Sequence, residues 1–439
     1  MASQAHRRPA EETSLNTKTP VSREIEVYVD LDGQPSLVGR LWARLNKGRE
    51  GASFAYDTGW LASPLRFPLE PALSLDSGSH HTGQGRSLFG ALGDSAPDRW
   101  GRMLMKRVER RLAAREGRAP RALMEIDFLL MVNDAVRPGA LRFAERGSRQ
   151  FLASDGPKIP PLIYLSKLLA ASDRVIADKE SDEDLRLLLA PGSSLGGARP
   201  KAAVTDAAGH LHIAKFPQSQ DEYSVERWSY LAHVLASKAG INVPPCQLLQ
   251  VNRRSVLVVS RFDRKGPVRI PFLSAMSILG AVDGEMYSYL ELVDALRRYG
   301  AQAREDQQEL WRRILFGVLI SNVDDHLRNH GFLYDTARRG WRLSPAYDLN
   351  PVPWDVKPPF LSTFIDERDN AASFDLVLST ADYYGLKPAD TRRMVKEVVT
   401  VVSHWRQEAA KLGCSHREIE RMASAFEHES QKAARAYSE

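Results

Sequence analysis

A buried helix followed by a polar loop, a short hairpin and a second polar loop is the feature that most constrains how this chain can fold. Residues 310–320 are apolar at helical spacing, and residues 331–334 and 341–343 have the apolar composition of strands. The first loop reads NVDDHLRN (residues 322–329), and the second reads SPAYD (residues 344–348). The order predicts a hairpin flanked by two loops that are rich in carboxylate and amide side chains.

Three side chains in these loops have the spacing of a magnesium-dependent phosphoryl-transfer site. Asn329 follows Asp324 by five residues, and Asp348 follows Asn329 by nineteen. In protein kinases the first Asp accepts the proton of the substrate hydroxyl, the Asn binds a metal ion, and the later Asp bridges metal and phosphate. Asp and Asn are also common in turns, but the flanking helix and strands favour the functional interpretation. The spacing to Asn329 selects Asp324 over Asp325 as the base.

A phosphate-binding loop is predicted directly before the first hairpin of a β-rich block. Residues 193–201 read SSLGGARPK, in which glycines allow backbone N–H groups to approach phosphates and basic residues neutralise them. The stretch matches neither the Walker pattern nor the usual kinase Gly-x-Gly-x-x-Gly pattern, so alone it is equally typical of a surface loop. Its position before the strand that carries a lysine favours the phosphate-binding interpretation.

Lys215 is predicted to be the lysine that contacts the α- and β-phosphates of a nucleotide. It lies in an otherwise apolar strand, and lysine is rarely buried without a partner. The alternative is an edge-strand lysine whose ammonium group stays in water. Glu226, on the helix that follows, is the expected ion-pair partner, with Asp221 and Glu222 as rivals.

Composition excludes several classes of protein. The 439 residues are enough for two or three domains, and 43% apolar with 26% charged residues is ordinary for a globular protein. No apolar stretch approaches the roughly 18–20 residues of a membrane span, and residues 1–20 lack the apolar core of a signal peptide. Two widely separated cysteines fit a reducing compartment. We therefore expect a cytoplasmic protein that makes no contact with membranes.

The predicted organisation has four parts: a disordered tail (1–21), a first β-containing module (22–155), a β-rich lobe (176–275) and a helical lobe (276–439). A Pro/Gly-rich stretch at 156–161 is the predicted seam. One helix is predicted to begin near Pro97, with Asp94 or Ser95 as its cap. The strongest further helices are expected at residues 290–299, 307–320, 389–412 and 415–434. This is an α+β layout, that of a two-lobed, protein-kinase-like fold with an extra N-terminal module.

Five motifs in this order resemble the HipA family, the serine/threonine-kinase toxins of bacterial type II toxin–antitoxin pairs. They are Ser194-x-x-Gly197-Ala198-Arg199-Pro200-Lys201, the Lys215 strand, Arg261-Phe262-Asp263-Arg264, Asn322-x-Asp324-x-His326-x-x-Asn329, and Tyr347-Asp348. Residues 27–64 also resemble the N-terminal module of the family, so the resemblance covers about residues 24–420. It implies the HipA fold and ATP and Mg²⁺ as cofactors.

The resemblance also implies a role for each matching residue. Asp324 would be the catalytic base, and Asn329 and Asp348 would bind Mg²⁺. The phosphates of ATP would be held by Gly196, Gly197, Ala198, Arg199, Lys201 and Lys215. Ser260, Arg261 and Phe262 would form the hinge beside adenine, and His326 and Tyr347 would line the nucleotide pocket. Some family members carry an acidic residue where this chain has Ser260.

Ser194 matches the autophosphorylation site of the family, although the adjacent Ser193 leaves the modified residue open. A phosphate there adds about −1.5 to −2 charge to a loop that is meant to hold ATP, so it would inactivate the enzyme.

The resemblance implies a protein substrate, either an aminoacyl-tRNA synthetase or another translation factor. It also implies restraint by a helix-turn-helix (HipB-like) antitoxin dimer, so that contact with DNA would be indirect. Two alternatives stay open: a catalytically silent binding partner of such an antitoxin and DNA, and a kinase of small molecules or lipids. The complete set of Asp324, Asn329 and Asp348 argues against the silent protein.

Overall fold

Alternating apolar residues build the first sheet, which is antiparallel throughout. Its strands are β1 (Ser22–Leu31), β2 (Gln34–Asn46), β3 (Arg49–Tyr56), β4 (Ser79–His81) and β5 (Leu141–Glu145), in the spatial order β4-β3-β2-β1-β5. A tight turn joins β1 to β2, with positive φ angles at Asp32 and Gly33, and an Asp-Gly pair is typical of such hairpin turns. Helices of this part are α1 (Thr58–Ala62), α2 (Gly90–Gly93), α3 (Arg99–Arg115) and α4 (Glu125–Met131).

This computed structural model describes residues 22–46, 48–148, 150–156, 158–189 and 197–439. The predicted disordered tail and the site residues Ser193, Ser194 and Gly196 lie outside these ranges. Within them, no helix is both long enough and apolar enough to cross a membrane.

The start of helix α3 differs from the prediction. Asp98, not Asp94 or Ser95, is its N-cap, and the Asp98 carboxylate accepts a hydrogen bond from Gly101 N at 2.8 Å. Asp94 cannot begin this helix because it ends α2, and its carboxylate accepts from Ser274 N at 2.7 Å in the helical part. Pro97 therefore precedes the cap and does not occupy the first turn.

The second sheet carries the predicted lysine strand. Two helices, α5 (Leu165–Ile176) and α6 (Asp182–Leu189), precede it, and α7 (Val225–Lys238) follows its first hairpin. The strands β6 (Lys201–Thr205), β7 (Leu211–Lys215), β8 (Cys246–Val251) and β9 (Arg254–Ser260) lie in the order β6-β7-β9-β8. One face of this sheet packs with α3, α5 and α6 in a cluster that includes Trp100, Leu168, Ala214 and Val258.

The remaining chain is mostly helical, with a small sheet at the predicted loops. Two short strands, β10 (Arg264–Lys265) and β11 (Val268–Arg269), form a hairpin, and β12 (Phe272–Ser274), β13 (Gly331–Asp335) and β14 (Gly340–Leu343) form a three-stranded sheet. The helices are α8 (Ala275–Ile278), α9 (Tyr289–Tyr299), α10 (Ala303–Leu319), α11 (Phe374–Ser379), α12 (Pro388–Val402), α13 (Trp405–Lys411), α14 (His416–Phe426) and α15 (Glu429–Ser438). The α+β, two-lobed architecture is as predicted.

Two of the predicted long helices are each broken in two. Helix α12 ends at Val402 because the side chains of Ser403 and His404 both bond back to Thr400 O, at 2.8 and 2.7 Å. The second break separates α14 from α15, where His428 has an extended backbone and stacks on Trp354 with ring centroids 5.3 Å apart. Neither break has a Gly or Pro in the sequence to mark it.

Candidate active site

A cleft of about 500 Å³ separates the second sheet from the helical lobe. The lining residues are Lys201, Ile213, Lys215, His233, Val259, Ser260, Arg261, Phe262, Asp263, Tyr347 and Asp348. The folded chain thus brings together residues from the phosphate loop, the lysine strand, the hinge and the second polar loop. Concave, mostly apolar walls with a few convergent charges are typical of small-molecule sites.

Lys215 and Asp348 form the ionic centre of this cleft. Lys215 Nζ donates to Asp348 Oδ1 at 2.7 Å, and Asn350 Nδ2 donates to the same oxygen at 3.1 Å. Burial alone would raise the pKa of the Asp348 carboxyl, but Lys215 and Lys201 hold that pKa well below its ordinary value. Asp348 also has a positive φ of 60°, a strained backbone conformation of the kind that clusters at functional sites.

The expected pairing of Lys215 with Glu226 is wrong. Glu226 accepts from Arg199 at 3.0 Å, and Arg199 also bonds to Asp221 at 2.9 and 2.6 Å. The sequence distance to Glu226 is short, but the loop that carries Asp348 packs directly on the lysine strand. Lys215 therefore bonds to a carboxylate that is far away in the sequence.

The described part of the phosphate loop closes over the same cleft. Gly197 has a φ of 93°, which an L side chain rarely adopts, and a Cβ atom there would lie 2.9 Å from Lys201 Nζ. Ala198 follows it. Lys201 Nζ also donates to Asp98, the cap of α3, at 2.9 Å. The guanidinium of Arg199 lies among carboxylates and is not directed freely at the cleft.

Strand register determines which hinge side chains face the cleft. Ile213 pairs with Val259 and both line the cleft, whereas His212 pairs with Ser260 on the opposite face of the sheet. Ser260 Oγ and His212 Nδ1 are accordingly 3.2 Å apart. Ser260 therefore borders the cleft while its hydroxyl is directed toward His212, away from the cleft.

Arg261 and Phe262 have different positions in the hinge. The guanidinium of Arg261 donates to Asp263 and to Val136 O, the latter at 2.8 Å, and so points into the first module. The ring of Phe262 lies 5.3 Å from the ring of Tyr347, centroid to centroid, at the wall of the cleft. A planar base would find its aromatic contacts there.

The two adjacent aspartates of the first loop have opposite environments. The side chain of Asp324 is 62% exposed, whereas Asp325 is buried and accepts from Tyr289 OH at 2.5 Å and His330 Nε2 at 3.0 Å. Burial alone would raise the pKa of the Asp325 carboxyl, but His330 and Tyr289 hold it below its ordinary value. Asp324 is the one that a substrate can reach, and Asp325 holds the loop in place.

Asn329 presents a free amide oxygen. Its Nδ2 donates to Asp324 O at 3.0 Å, while its Oδ1 is buried and accepts no hydrogen bond from the part of the chain that the structure describes. Mg²⁺ takes oxygen ligands, so this orphaned oxygen and the ionised carboxylate of Asp348 fit the ion. Within the described ranges, no cluster of three or more His, Cys, Asp or Glu side chains is placed to hold a metal.

His326 and Tyr347 differ in their relation to the cleft. Tyr347 lines it, and the Tyr347 hydroxyl donates to Arg328 O at 2.7 Å. His326 is not among the lining residues, and its Nδ1 is buried without a hydrogen bond.

Sequence reasoning missed His233 and Lys357. His233 lies on α7, donates from Nδ1 to Ser229 O at 2.7 Å, and lines the cleft; burial lowers its pKa to about 4. The sequence did carry a signal for His233, because it is a polar residue among the apolar positions 231, 232 and 235. Lys357 lies nine residues after Asp348 in no motif, and its Nζ donates to Asp324 Oδ1 at 2.7 Å. No pattern in the sequence marks it.

Comparison with known families gives one match to a family model. Residues 193–405 match the model described as the HipA-like C-terminal domain. Among curated proteins, the chain is 28% identical over 204 residues to a Sinorhizobium fredii protein named "Putative kinase Y4mE", which covers 42% of this chain and 48% of that one. It is 27% identical over 186 residues to a Haemophilus influenzae protein named "Putative kinase", covering 37% and 53% respectively. The chain spans about half the length of these relatives.

A solved structure matches over almost the whole chain. It is HipA of Shewanella oneidensis MR-1, in a complex with HipB and its operator DNA. The TM-score is 0.64 at 17% sequence identity, and the match covers 94% of this chain and 96% of that one. At this identity the match shows a common fold, and it includes the first module as well as the two lobes.

Proposed function

Because this chain is a HipA-family protein, we propose that it is an ATP- and Mg²⁺-dependent protein kinase that phosphorylates serine or threonine. The observation that carries the proposal is the 2.7 Å bond between Lys215 and Asp348. The bond supports the proposal because it joins, at one cleft, a cation suited to binding phosphate and a carboxylate suited to binding a metal ion. Both curated relatives carry the words "Putative kinase" in their names, which supports the same reaction class.

The exposed carboxylate of Asp324 acts as the base. It accepts the proton of the acceptor hydroxyl as that oxygen attacks the γ-phosphorus, and the bond to the β–γ bridging oxygen breaks to leave ADP. Lys215, and Lys201 beside it, neutralise the nucleotide phosphates. Asn329 Oδ1 and Asp348 would hold Mg²⁺, whose chemistry when bound is to neutralise charge on the phosphate oxygens.

The base of the nucleotide lies in the apolar part of the cleft. Ile213 and Val259 form the floor on the sheet side, and the rings of Phe262 and Tyr347 form the wall. The buried, unprotonated His233 borders this pocket without adding charge.

Autophosphorylation of Ser194, or of Ser193, is the regulatory part of the proposal. Both residues precede Lys201, which lines the cleft, by seven or eight positions in the sequence. A phosphate of about −1.5 to −2 charge on this loop would compete for Lys201 and Lys215 with the phosphates of ATP.

The proposal also includes a partner and a substrate. The matched Shewanella structure is a complex with HipB and operator DNA, which supports an antitoxin as partner; the helix-turn-helix dimer and the indirect contact with DNA are what the resemblance of the motifs implies. The protein substrate, an aminoacyl-tRNA synthetase or another translation factor, follows from the resemblance of the motifs.

The test is incubation of the purified chain and of a cell extract with radiolabelled ATP and Mg²⁺. Wild type is expected to label itself or a protein of the extract, and Asp324→Ala to label neither. Ser194→Ala is expected to lose self-labelling; full retention would move the modification to Ser193 or elsewhere and leave the kinase intact. Absence of label on every protein, with wild type binding ATP, would contradict the kinase and favour the silent binding partner.

A further inference from the structure

Lys357 contacts the proposed base although no motif contains it. Its Nζ lies 2.7 Å from Asp324 Oδ1, and the two side chains are 40% and 62% exposed. Ion pairs this exposed contribute little to stability. A contribution to stability therefore does not explain this contact. Its position beside the proposed base points instead to a role in the reaction.

The segment that carries Lys357 is fixed to the start of the catalytic loop. Val352 N donates to Ser321 O at 3.2 Å, and Trp354 Nε1 donates to Ser321 Oγ at 3.0 Å. After the lysine, Ser362 N donates to Val323 O at 3.2 Å. Residues 352–362 thus leave and return to the same loop, with Lys357 between the two attachment points.

A cation at this position lies within reach of the transferred phosphate. A base must be about 2.6–3.2 Å from the hydroxyl it deprotonates, and the attacking oxygen lies about 3–3.5 Å from phosphorus before reaction. An ammonium group bonded to the base is then within a few Å of the γ-phosphate oxygens. Lysine has three N–H donors, so it can bond to Asp324 and to phosphate at once.

The other cations of the cleft already bond to other carboxylates. Lys215 donates to Asp348, Lys201 to Asp98, and Arg199 to Asp221 and Glu226. Lys215 is expected at the α- and β-phosphates. The γ-phosphate is the group that is transferred from the nucleotide. Of the four cations Lys215, Lys201, Arg199 and Lys357, the one nearest to the base is Lys357.

We propose that Lys357 is a further catalytic residue, which binds a non-bridging oxygen of the γ-phosphoryl group while it orients Asp324. The inference rests on the proposed kinase function. The acceptor oxygen bonds to phosphorus as the bond to the bridging oxygen breaks, and the electron pair leaves with ADP. The hydroxyl proton goes to Asp324, and Lys357 transfers no proton.

The experiment compares the affinities of the full chain for Mg²⁺–ADP and for Mg²⁺–AMP-PNP by titration calorimetry. Lys357→Met is expected to weaken AMP-PNP binding about tenfold, the effect of one charge-assisted hydrogen bond, and to leave ADP binding unchanged. Lys215→Met is expected to weaken both. Lys396→Met, at an exposed lysine of α12, is the matched control and should change neither.

A rate measurement separates catalysis from binding alone. With saturating ATP, Lys357→Met is expected to slow self-labelling about 10²-fold, with substantial recovery in Lys357→Arg. Equal affinity of Lys357→Met and wild type for AMP-PNP, or faster labelling by the variant, would overturn the inference; the second result would mark Lys357 as an inhibitory plug. If wild type binds neither nucleotide, the proposed function itself fails.

Discussion

Lys215 Nζ bonds to Asp348 Oδ1 at 2.7 Å across 133 residues of sequence. The lysine belongs to the second sheet and the aspartate to the loop after the three-stranded sheet. The two side chains are 23% and 30% exposed, so each charge is partly withdrawn from water and the other charge offsets that cost. The bond therefore connects the two lobes at the cleft, and we expect the nucleotide phosphates to lie beside it.

This pair predicts an unusual ranking of variants. Lys215→Met and Asp348→Asn are each expected to lower the affinity for Mg²⁺–ATP by about 10²-fold or more, since each removes a charge-assisted contact to phosphate or metal. Glu226→Gln is expected to have a smaller effect, because Glu226 bonds to Arg199. Calorimetric Kd values check the ranking. A loss in Glu226→Gln as large as in Lys215→Met would mean that Lys215 changes partner when nucleotide binds.

The adjacent aspartates are expected to fail in different ways. Asp324→Asn should abolish phosphoryl transfer with unchanged ATP affinity and unchanged urea unfolding, because the side chain is exposed. Asp325→Ala should lower the free energy of unfolding by about 1–3 kcal/mol for each donor left without an acceptor, here Tyr289 and His330. Activity loss in Asp325→Ala without loss of stability would reverse the assignment of the base.

Asp263 predicts a large stability effect outside the reacting centre. It is fully buried and bonds to Arg261, to Arg264 and to Gly139 N at 2.8 Å. Asp263→Ala leaves two buried guanidinium groups uncompensated and is expected to cost about 3–5 kcal/mol. Asp294→Ala, which removes an exposed pair with Arg297, is the control and should change the free energy of unfolding by less than about 1 kcal/mol. Urea denaturation of both variants distinguishes them.

Glu70 predicts a pH dependence of stability with a definite sign. Burial raises the pKa of its carboxyl from 4.5 to about 7 in the folded chain. Between these values the unfolded chain releases the proton while the folded chain keeps it, so stability is lost as pH rises from 4.5 to 7.

Glu70→Gln keeps an acceptor for Ala91 N but has no proton to lose. The difference in free energy of unfolding, variant minus wild type, is expected to become more positive by about 3 kcal/mol at most as the pH is raised from 4.5 to 8. Urea unfolding at both pH values measures this difference. A difference that does not vary with pH would show that Glu70 titrates normally.

The sequence was sufficient for most of the regular structure because local periodicity determines it. The turn at Asp32-Gly33 and the lysine hairpin follow from alternation and turn residues. The breaks at His404 and His428 could not be predicted, because they arise from a hydrogen bond and a ring contact of individual side chains, which sequence periodicity does not reveal. The direction of the Ser260 hydroxyl, away from the cleft, could not be predicted either, because it depends on the register between two paired strands.

The candidate site shows the same division. The spacing of Asp324, Asn329 and Asp348 is local enough to identify them, and the folded chain leaves Asp324 exposed and Asn329 Oδ1 without a partner. The partner of Lys215 was missed because tertiary packing, not sequence distance, brings Asp348 to it. Lys357 was missed because no sequence pattern marks a lysine in a coil segment. Its place beside Asp324 depends on the hydrogen bond that returns the segment to Val323.

The cap of helix α3 has a consequence for how this chain can vary. Asp98 bonds to Lys201 in the β-rich lobe, and Trp100, two residues later, belongs to the same apolar cluster as the small residues Ala202 and Ala214. A chain that began at residue 176 would uncover this face of the sheet, and a foreign first module would have to present the same carboxylate and indole. The two parts on either side of the predicted seam at residues 156–161 therefore share a buried ion pair between Asp98 and Lys201, so neither can be exchanged without replacing the partner of the other.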